Sequence, residues 1–215
     1  MRRRNVKNAQ RRIENHLDLL IKNPQDYKGK WQKFFNNNNP IHLELGCGKG
    51  GFISKISVKN PDINYIAIDL VDAMLGLAKR KVEEEYNQNN KEINNIYLTR
   101  YDIERIANIF GRDDKIERIY INFCNPWPRG KHHKKRLTHT RQLEKYKQFL
   151  KENGEIYFKT DDDNLFNDSI SYFKSSGFEI IKNTYDLQDE PEFWDNIKTE
   201  HEDMFTEQGI KIKAL

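Results

Sequence analysis

Glu44 and three glycines hold the strongest chemical signal in this chain. In the segment IHLELGCGKGG (Ile41 to Gly51), Ile41, Leu43 and Leu45 read as a strand, interrupted in polarity only by His42 and Glu44. Gly46, Gly48 and Gly51 then match G-x-G-x-x-G, a turn that lets backbone approach a nucleotide closely. Glu44 stands two residues before the first glycine. A dinucleotide would put its pyrophosphate at this turn, where a carboxylate repels it. S-adenosylmethionine (AdoMet) has no phosphate and carries a sulfonium and an α-ammonium, both attracted by a carboxylate. The competing reading of Glu44 is an ordinary charge at a strand's end.

Further acids stand where other strand patterns end. The second strand, Ile63–Asp69, ends on Asp69, an acid able to hold both hydroxyls of a ribose. The third, Ile96–Arg100, is followed by Asp102, placed to meet an adenine amino group. Both acids also fit as first-turn charges on helix dipoles. The fourth, Arg118–Phe123, runs into Asn122-Phe-Cys-Asn125-Pro-Trp127-Pro128. Two prolines stiffen that loop, which makes Asn125 and the neighbouring carbonyls fixed acceptors and Trp127 a flat surface for a base. The same residues would also make a plain proline turn around a core tryptophan. Arg129, Lys131, Lys134, Lys135 and Arg136 follow at once, a patch suited to phosphates. His132, His133 and His139 belong with that basic surface and lack zinc-site spacing.

These strand ends need a scaffold that gathers them. Two more strand patterns follow, Glu155–Thr160 and Phe178–Thr184, and a last one spans Ile210–Ala214. Helix patterns alternate with them over Gly51–Lys59, Val71–Tyr86, Ile103–Phe110, Thr138–Glu152, Asp163–Ser176 and Glu200–Gln208, with Gly154 and Gly177 placed as helix C-terminal glycines. Strand–helix alternation predicts an α/β, Rossmann-like fold: a mostly parallel seven-stranded sheet, helices on both faces, and an antiparallel C-terminal strand. Ligands bind beyond the carboxyl ends of such strands, which is where the acids fall. Asn36 to Asn39 before Pro40 reads as a linker, dividing a basic arm, residues 1–39, from a catalytic domain, residues 40–215. Thr160 and Asp163 fit a capping box at the start of the fifth helix.

The 215 residues suffice for one domain with a sizeable core. A third of them are charged (33%), yet the net charge is only +4, so its distribution matters more than its sum. Met1–Arg12 carries six Lys/Arg and no acid, Arg129–Lys147 eight against Glu144 alone, and Asp189–Asp203 seven acids against Lys198. Two basic clusters favour a polyanionic partner, and a lysine-rich solvated surface is the alternative. Cys47 and Cys124 stand far apart, which favours a reducing cytoplasmic setting over a disulfide scaffold or a metal site. No apolar run approaches a membrane span, and the basic N-terminus lacks the apolar stretch of a signal peptide.

Taken together, NPQDYKGKW (Asn23–Trp31), IHLELGCGKG, INFCNPWPRGKHHKKRLT (Ile121–Thr138), YFKTD (Tyr157–Asp161) and TEHEDMF (Thr199–Phe205) resemble the bacterial tRNA (guanine-N7)-methyltransferases of the TrmB type, over about Asp26 to Gly209. The resemblance implies methyl transfer from AdoMet to N7 of a guanosine in the tRNA variable loop. It implies AdoMet contacts at Glu44, Gly46, Gly48, Asp69 (where the family usually has Glu), Asp102 and Asn125, with Asn125 also the catalytic position. Arg129, at a usual lysine, with Asp161, Thr199, Glu200, His201 and Glu202, would bind substrate; Lys131, Lys134, Lys135 and Arg136 would meet the tRNA backbone. The implied partners are tRNA and no membrane or metal, in a monomer or homodimer. The family usually has Asp-Pro-Trp-Pro where this chain has Asn125. Rival readings are an exocyclic-amine RNA methyltransferase using the Asn-Pro-Trp-Pro loop, an NAD-dependent oxidoreductase, which Glu44 opposes, and a non-catalytic RNA-binding module.

Overall fold

A computed structural model of the chain describes residues 19–190, 193 and 196–215. Strands β1 (Leu20–Ile21), β2 (Ile41–Leu45), β3 (Asn64–Asp69), β4 (Ile96–Arg100), β5 (Ile116–Asn122), β6 (Leu150–Thr160) and β7 (Lys213–Ala214) form one sheet in the order β1-β4-β3-β2-β5-β6-β7. Every neighbouring pair is parallel except β6 and β7. The helices are α1 (Trp31–Phe35), α2 (Gly51–Lys59), α3 (Asp72–Gln88), α4 (Thr140–Tyr146), α5 (Asp163–Ser175) and α6 (Glu200–Glu207).

The period-2 alternation of the strands sorts them onto two cores. Leu43, Leu45, Ile66 and Ile68 pack with α1, α4 and α5 on one face. Tyr65, Ala67, Leu98 and Tyr120 pack with α2 and α3 on the other. Both faces of the sheet are therefore covered along β2, β3 and β4.

Four sequence expectations are corrected. Phe178–Thr184 is not a strand of the sheet; among its residues only Thr184 pairs, with Ala214. Phe178 is instead turned back, its N–H donating to the Phe173 carbonyl at 3.0 Å, and Ile181 is 79% exposed. The seventh strand is β1, two residues beside β4 and too short to show any period. The helix expected over Thr138–Glu152 ends at Tyr146: the core takes Phe149, whose carbonyl accepts the Ile116 N–H at 2.8 Å. Gly154 consequently sits inside β6, while Gly177 follows α5 as expected. The helix expected over Ile103–Phe110 is a 3-10 helix, Ile103–Asn108, kinked at Arg105.

The described part of the arm is not separate from the core. Trp31 is fully buried, stacks on Phe110 and donates its indole N–H to the Ile109 carbonyl at 2.8 Å. The asparagine run is fastened too: the Asn64 Nδ2 donates to Asn37 Oδ1 at 2.6 Å. Residues 19–39 thus complete the sheet and its α1 face. The basic cluster Met1–Arg12 lies outside the described residues.

Candidate active site

The site grows from the carboxyl ends of β2, β3, β5 and β6. Glu44 faces α2, next to its cross-strand partner Ala67 and in register with Tyr120, and is 2% exposed. The Asn122 Nδ2 donates to Glu44 Oε1 at 3.1 Å, and Glu44 Oε2 is buried with no partner. Burial pushes the Glu44 carboxyl up to about 7, while the Asn122 hydrogen bond and the Lys159 charge pull it back toward the ionised form. An orphaned buried carboxylate oxygen is costly unless something cationic reaches it.

The glycine turn lies against that carboxylate. The Gly46 N–H donates to the Ile68 carbonyl at 2.8 Å, and the Gly48 N–H to Asp69 Oδ2 at 2.9 Å. The other Asp69 oxygen accepts the Val71 N–H at 2.9 Å. Asp69 therefore shapes the turn while remaining half-buried at its rim. A Cβ on Gly48 would meet nothing within 4 Å, so the space in front of this backbone is open. An unpartnered buried carboxylate beside open glycine backbone fits the charge and close approach that AdoMet requires. Asp102 is a cap: its Oδ1 accepts the Glu104 N–H at 2.9 Å, as the helix-dipole alternative had it.

The loop after β5 is held in an unusual conformation. Phe123 and Trp127 both have positive φ, 51° and 43°, a region that side-chain-bearing residues occupy only with support. Asn125 supplies one support, its Oδ1 accepting the Trp127 N–H at 2.9 Å in an Asx turn. Arg136 supplies the other, its Nε donating to the Pro126 carbonyl at 2.6 Å and its guanidinium pairing with Asp168 at 2.5 Å.

Arg136 is 1% exposed, which corrects its expected place on the RNA surface. Its Nε and Nη1 engage the loop and α5, while Arg129, Lys131, Lys134 and Lys135 are exposed. Asn125 Oδ1 and the Pro126 carbonyl, two of the acceptors expected to be fixed, each accept one hydrogen bond from within the protein. One face of Trp127 carries the Lys135 ammonium, 4.9 Å from the ring centroid.

The remaining substrate candidates divide. Asp161 is half-buried directly after β6, and His201 and Glu200 are exposed on α6. Thr199 and Glu202 are buried and make a reciprocal capping box, Glu202 N–H to Thr199 Oγ1 at 3.1 Å and Thr199 N–H to Glu202 Oε2 at 3.0 Å. Glu202 also pairs with Lys159 at 2.6 Å. These two side chains face inward. The cap expected from Thr160 and Asp163 is made by Asp162, which accepts the Leu165 N–H at 2.6 Å. Asn122 and Lys159 are site residues that sequence reasoning missed. A lysine inside YFKT, at the buried carboxyl end of β6 (Phe158–Thr160), was the available signal.

Comparison with known proteins places this geometry. The family model described as "Putative methyltransferase" matches residues 38–215. The tRNA (guanine-N(7)-)-methyltransferase of Clostridium botulinum (strain Eklund 17B / Type B) is 60% identical over 198 residues, covering 92% of this chain and 90% of the relative. That of Ruminiclostridium cellulolyticum is 56% identical over 199 residues, covering 92% and 84%. Among solved structures, the 16S rRNA methyltransferase KamB superposes with a TM-score of 0.62 at 11% identity, over 86% of this chain and 90% of that one, a likeness of fold alone. No described helix is long and apolar enough to cross a membrane. With relatives of this identity along nine tenths of its length, the chain belongs to the tRNA (guanine-N(7)-)-methyltransferase family.

Proposed function

We propose that this chain transfers a methyl group from AdoMet to N7 of a guanosine in the tRNA variable loop, at the rim where the glycine turn meets the Phe123–Trp127 loop. The observation that carries the reading is the buried Glu44 with one unpartnered oxygen beside open glycine backbone. Bound there, AdoMet supplies an electrophilic methyl group on a sulfonium. Glu44 attracts the cationic end of the donor, and Asp69, fixed by two backbone N–H groups, offers lone pairs to ribose hydroxyls.

Guanine N7 carries a lone pair and no proton at neutral pH, so attack needs alignment and charge stabilisation and no base. Asn125 serves alignment: its Asx turn sets the loop, and its carboxamide NH2 is the donor assigned to guanine O6. Arg129, Lys131, Lys134 and Lys135 neutralise phosphates around the loop. An exocyclic-amine substrate would have to share Asn125 Oδ1 and the Pro126 carbonyl with the Trp127 N–H and the Arg136 Nε, each oxygen keeping one lone pair.

The test is nucleoside mass spectrometry of unmodified tRNA incubated with the protein and AdoMet. The expected product is 7-methylguanosine. An N2-methylated product, or none, would refute the reading.

A further inference from the structure

Lys159 stands where β6 should be apolar, and it is 2% exposed. Its Nζ donates to Glu202 Oε2 at 2.6 Å, Asn196 Oδ1 at 2.9 Å and the Ile197 carbonyl at 3.2 Å. All three N–H donors of the ammonium thus go to one segment, residues 196–202. Asn196 closes the network by donating to Glu202 Oε1 at 2.8 Å.

The same residue also holds the loop after β5. The Lys159 carbonyl accepts the Phe123 N–H at 2.9 Å, at the first residue of that loop with positive φ. The Phe123 ring in turn stacks on His201, centroids 5.4 Å apart and planes 18° apart, and tilts against Phe205. Glu200 faces the opposite way, paired with Lys81 of α3 and beside the Cα of Gly51. Each residue from Thr199 to Glu202 therefore has its own anchor: cap, α3, loop and β6. The positive charge of Lys159 also favours the ionised form of Glu44.

We propose that Lys159 is a positioning residue: it clamps the first turn of α6 across the glycine turn and the Phe123–Trp127 loop. In this arrangement Glu202 acts on catalysis through its pairing with Lys159. The proposal rests on the methyltransferase reading above and assigns a new role within that site.

The test combines a double-mutant cycle with hydrogen exchange on the full chain. Single-turnover methyl transfer is measured at saturating AdoMet and tRNA for wild type, Lys159→Met, Glu202→Gln and the double variant. Each single change should slow transfer by roughly 10- to 100-fold, and the double should be no more than about threefold slower than the worse single, because both remove one device. Lys159→Arg, which keeps the charge, should recover most of the rate. In Lys159→Met the Phe123 and Trp127 amides should exchange at least about tenfold faster, with α3 amides unchanged. Multiplicative losses of rate, or unchanged exchange at Phe123 and Trp127, would overturn the proposal. If Lys159→Met alone does not fold, Lys159→Met combined with Glu202→Met leaves no buried charge unpaired and should show the same acceleration. Exchange is read without activity, so a wild-type chain that makes no 7-methylguanosine would strike the function and leave the clamp to be judged by exchange.

Discussion

Asn122 and Glu44 share a single hydrogen bond, 3.1 Å from Nδ2 to Oε1, and the second Glu44 oxygen is left buried without a partner. The pair lies on neighbouring strands, β5 and β2, so sheet geometry fixes it before any ligand arrives. One oxygen is oriented by protein and the other has no protein partner. A carboxylate in this state is poorly solvated and therefore responsive to charge and pH.

AdoMet binding should follow the ionisation of Glu44. Its carboxyl titrates near 7 because burial disfavours the anion. The cationic donor binds the anion, so affinity should fall about tenfold per unit below about 7. In Glu44→Gln the profile should be flat, with affinity at pH 8 lower by about 1.5–3 kcal/mol. Titration calorimetry across pH checks both, and a pH-independent wild-type affinity would remove Glu44 from cofactor binding.

The same group sets a stability test of opposite sign. The folded carboxyl titrates at about 7 and the unfolded one at 4.5, so between these values the native state holds the extra proton. Ligand-free stability is then lost as pH rises through that window, by about 3 kcal/mol for a shift of this size. His42, buried and pushed down to about 4, works the other way, losing stability as pH falls below 6.5. Its effect cancels in the difference between wild type and Glu44→Gln. That difference should move in favour of Gln from pH 4.5 to 8, as read by denaturant melts.

Arg136 and its exposed neighbours should separate cleanly. Arg136→Ala strands the Pro126 carbonyl and Asp168, and should cost about 2–4 kcal/mol of stability. Lys134→Ala with Lys135→Ala should leave the melting temperature within a few degrees, weaken tRNA binding and flatten its salt dependence by about one unit per lost phosphate contact. Equal thermal stability of Arg136→Ala and wild type would return Arg136 to the surface role.

What the sequence made legible follows signal strength. β2 and β3 alternate apolar faces over five and six residues, and their terminal acids were readable from position alone. β1 has two residues and no period to detect. Phe178–Thr184 has strand-like composition, but β7 offers it pairing at Ala214 only. Arg136 was illegible because its run of basic neighbours is chemically uniform, and only the fold brings Asp168 and the Pro126 carbonyl to it. Lys159 was legible in principle, as a charge beside Phe158 and Thr160 at the buried end of β6.

Two glycines of the turn should fail differently. Gly50 has a φ of 79°, and a Cβ there would sit 2.7 Å from the Ala78 Cα, backbone that cannot move aside without opening α2 from α3. Gly50→Ala should lower stability by about 2 kcal/mol or more. Gly48→Ala meets open space and carries only the strain of a φ of 51°, about 1 kcal/mol, but fills the approach to the donor. It should weaken AdoMet binding more than it lowers the melting temperature. Calorimetry and thermal melts on the two variants check the split.

Asn125 decides how the loop contributes to the reaction. Its Oδ1 accepts the Trp127 N–H at 2.9 Å, one of the two supports of a loop in which Trp127 has a φ of 43°. Asn125→Asp keeps that acceptor and adds a negative charge beside the purine, which becomes positive as N7 is alkylated. Because no proton must leave before attack, this variant should equal or exceed the wild-type rate. Asn125→Ala loses both the turn and the carboxamide, and should slow single-turnover transfer by about 10- to 1000-fold, the range for one preorganised polar group. Its AdoMet affinity should stay within about threefold, because Glu44 and Asp69 lie on other strands. Both variants should still form 7-methylguanosine. Full activity in Asn125→Ala would exclude the residue from the mechanism, and a slow Asn125→Asp would mean that the carboxamide NH2, which the acid lacks, is the group that meets the base.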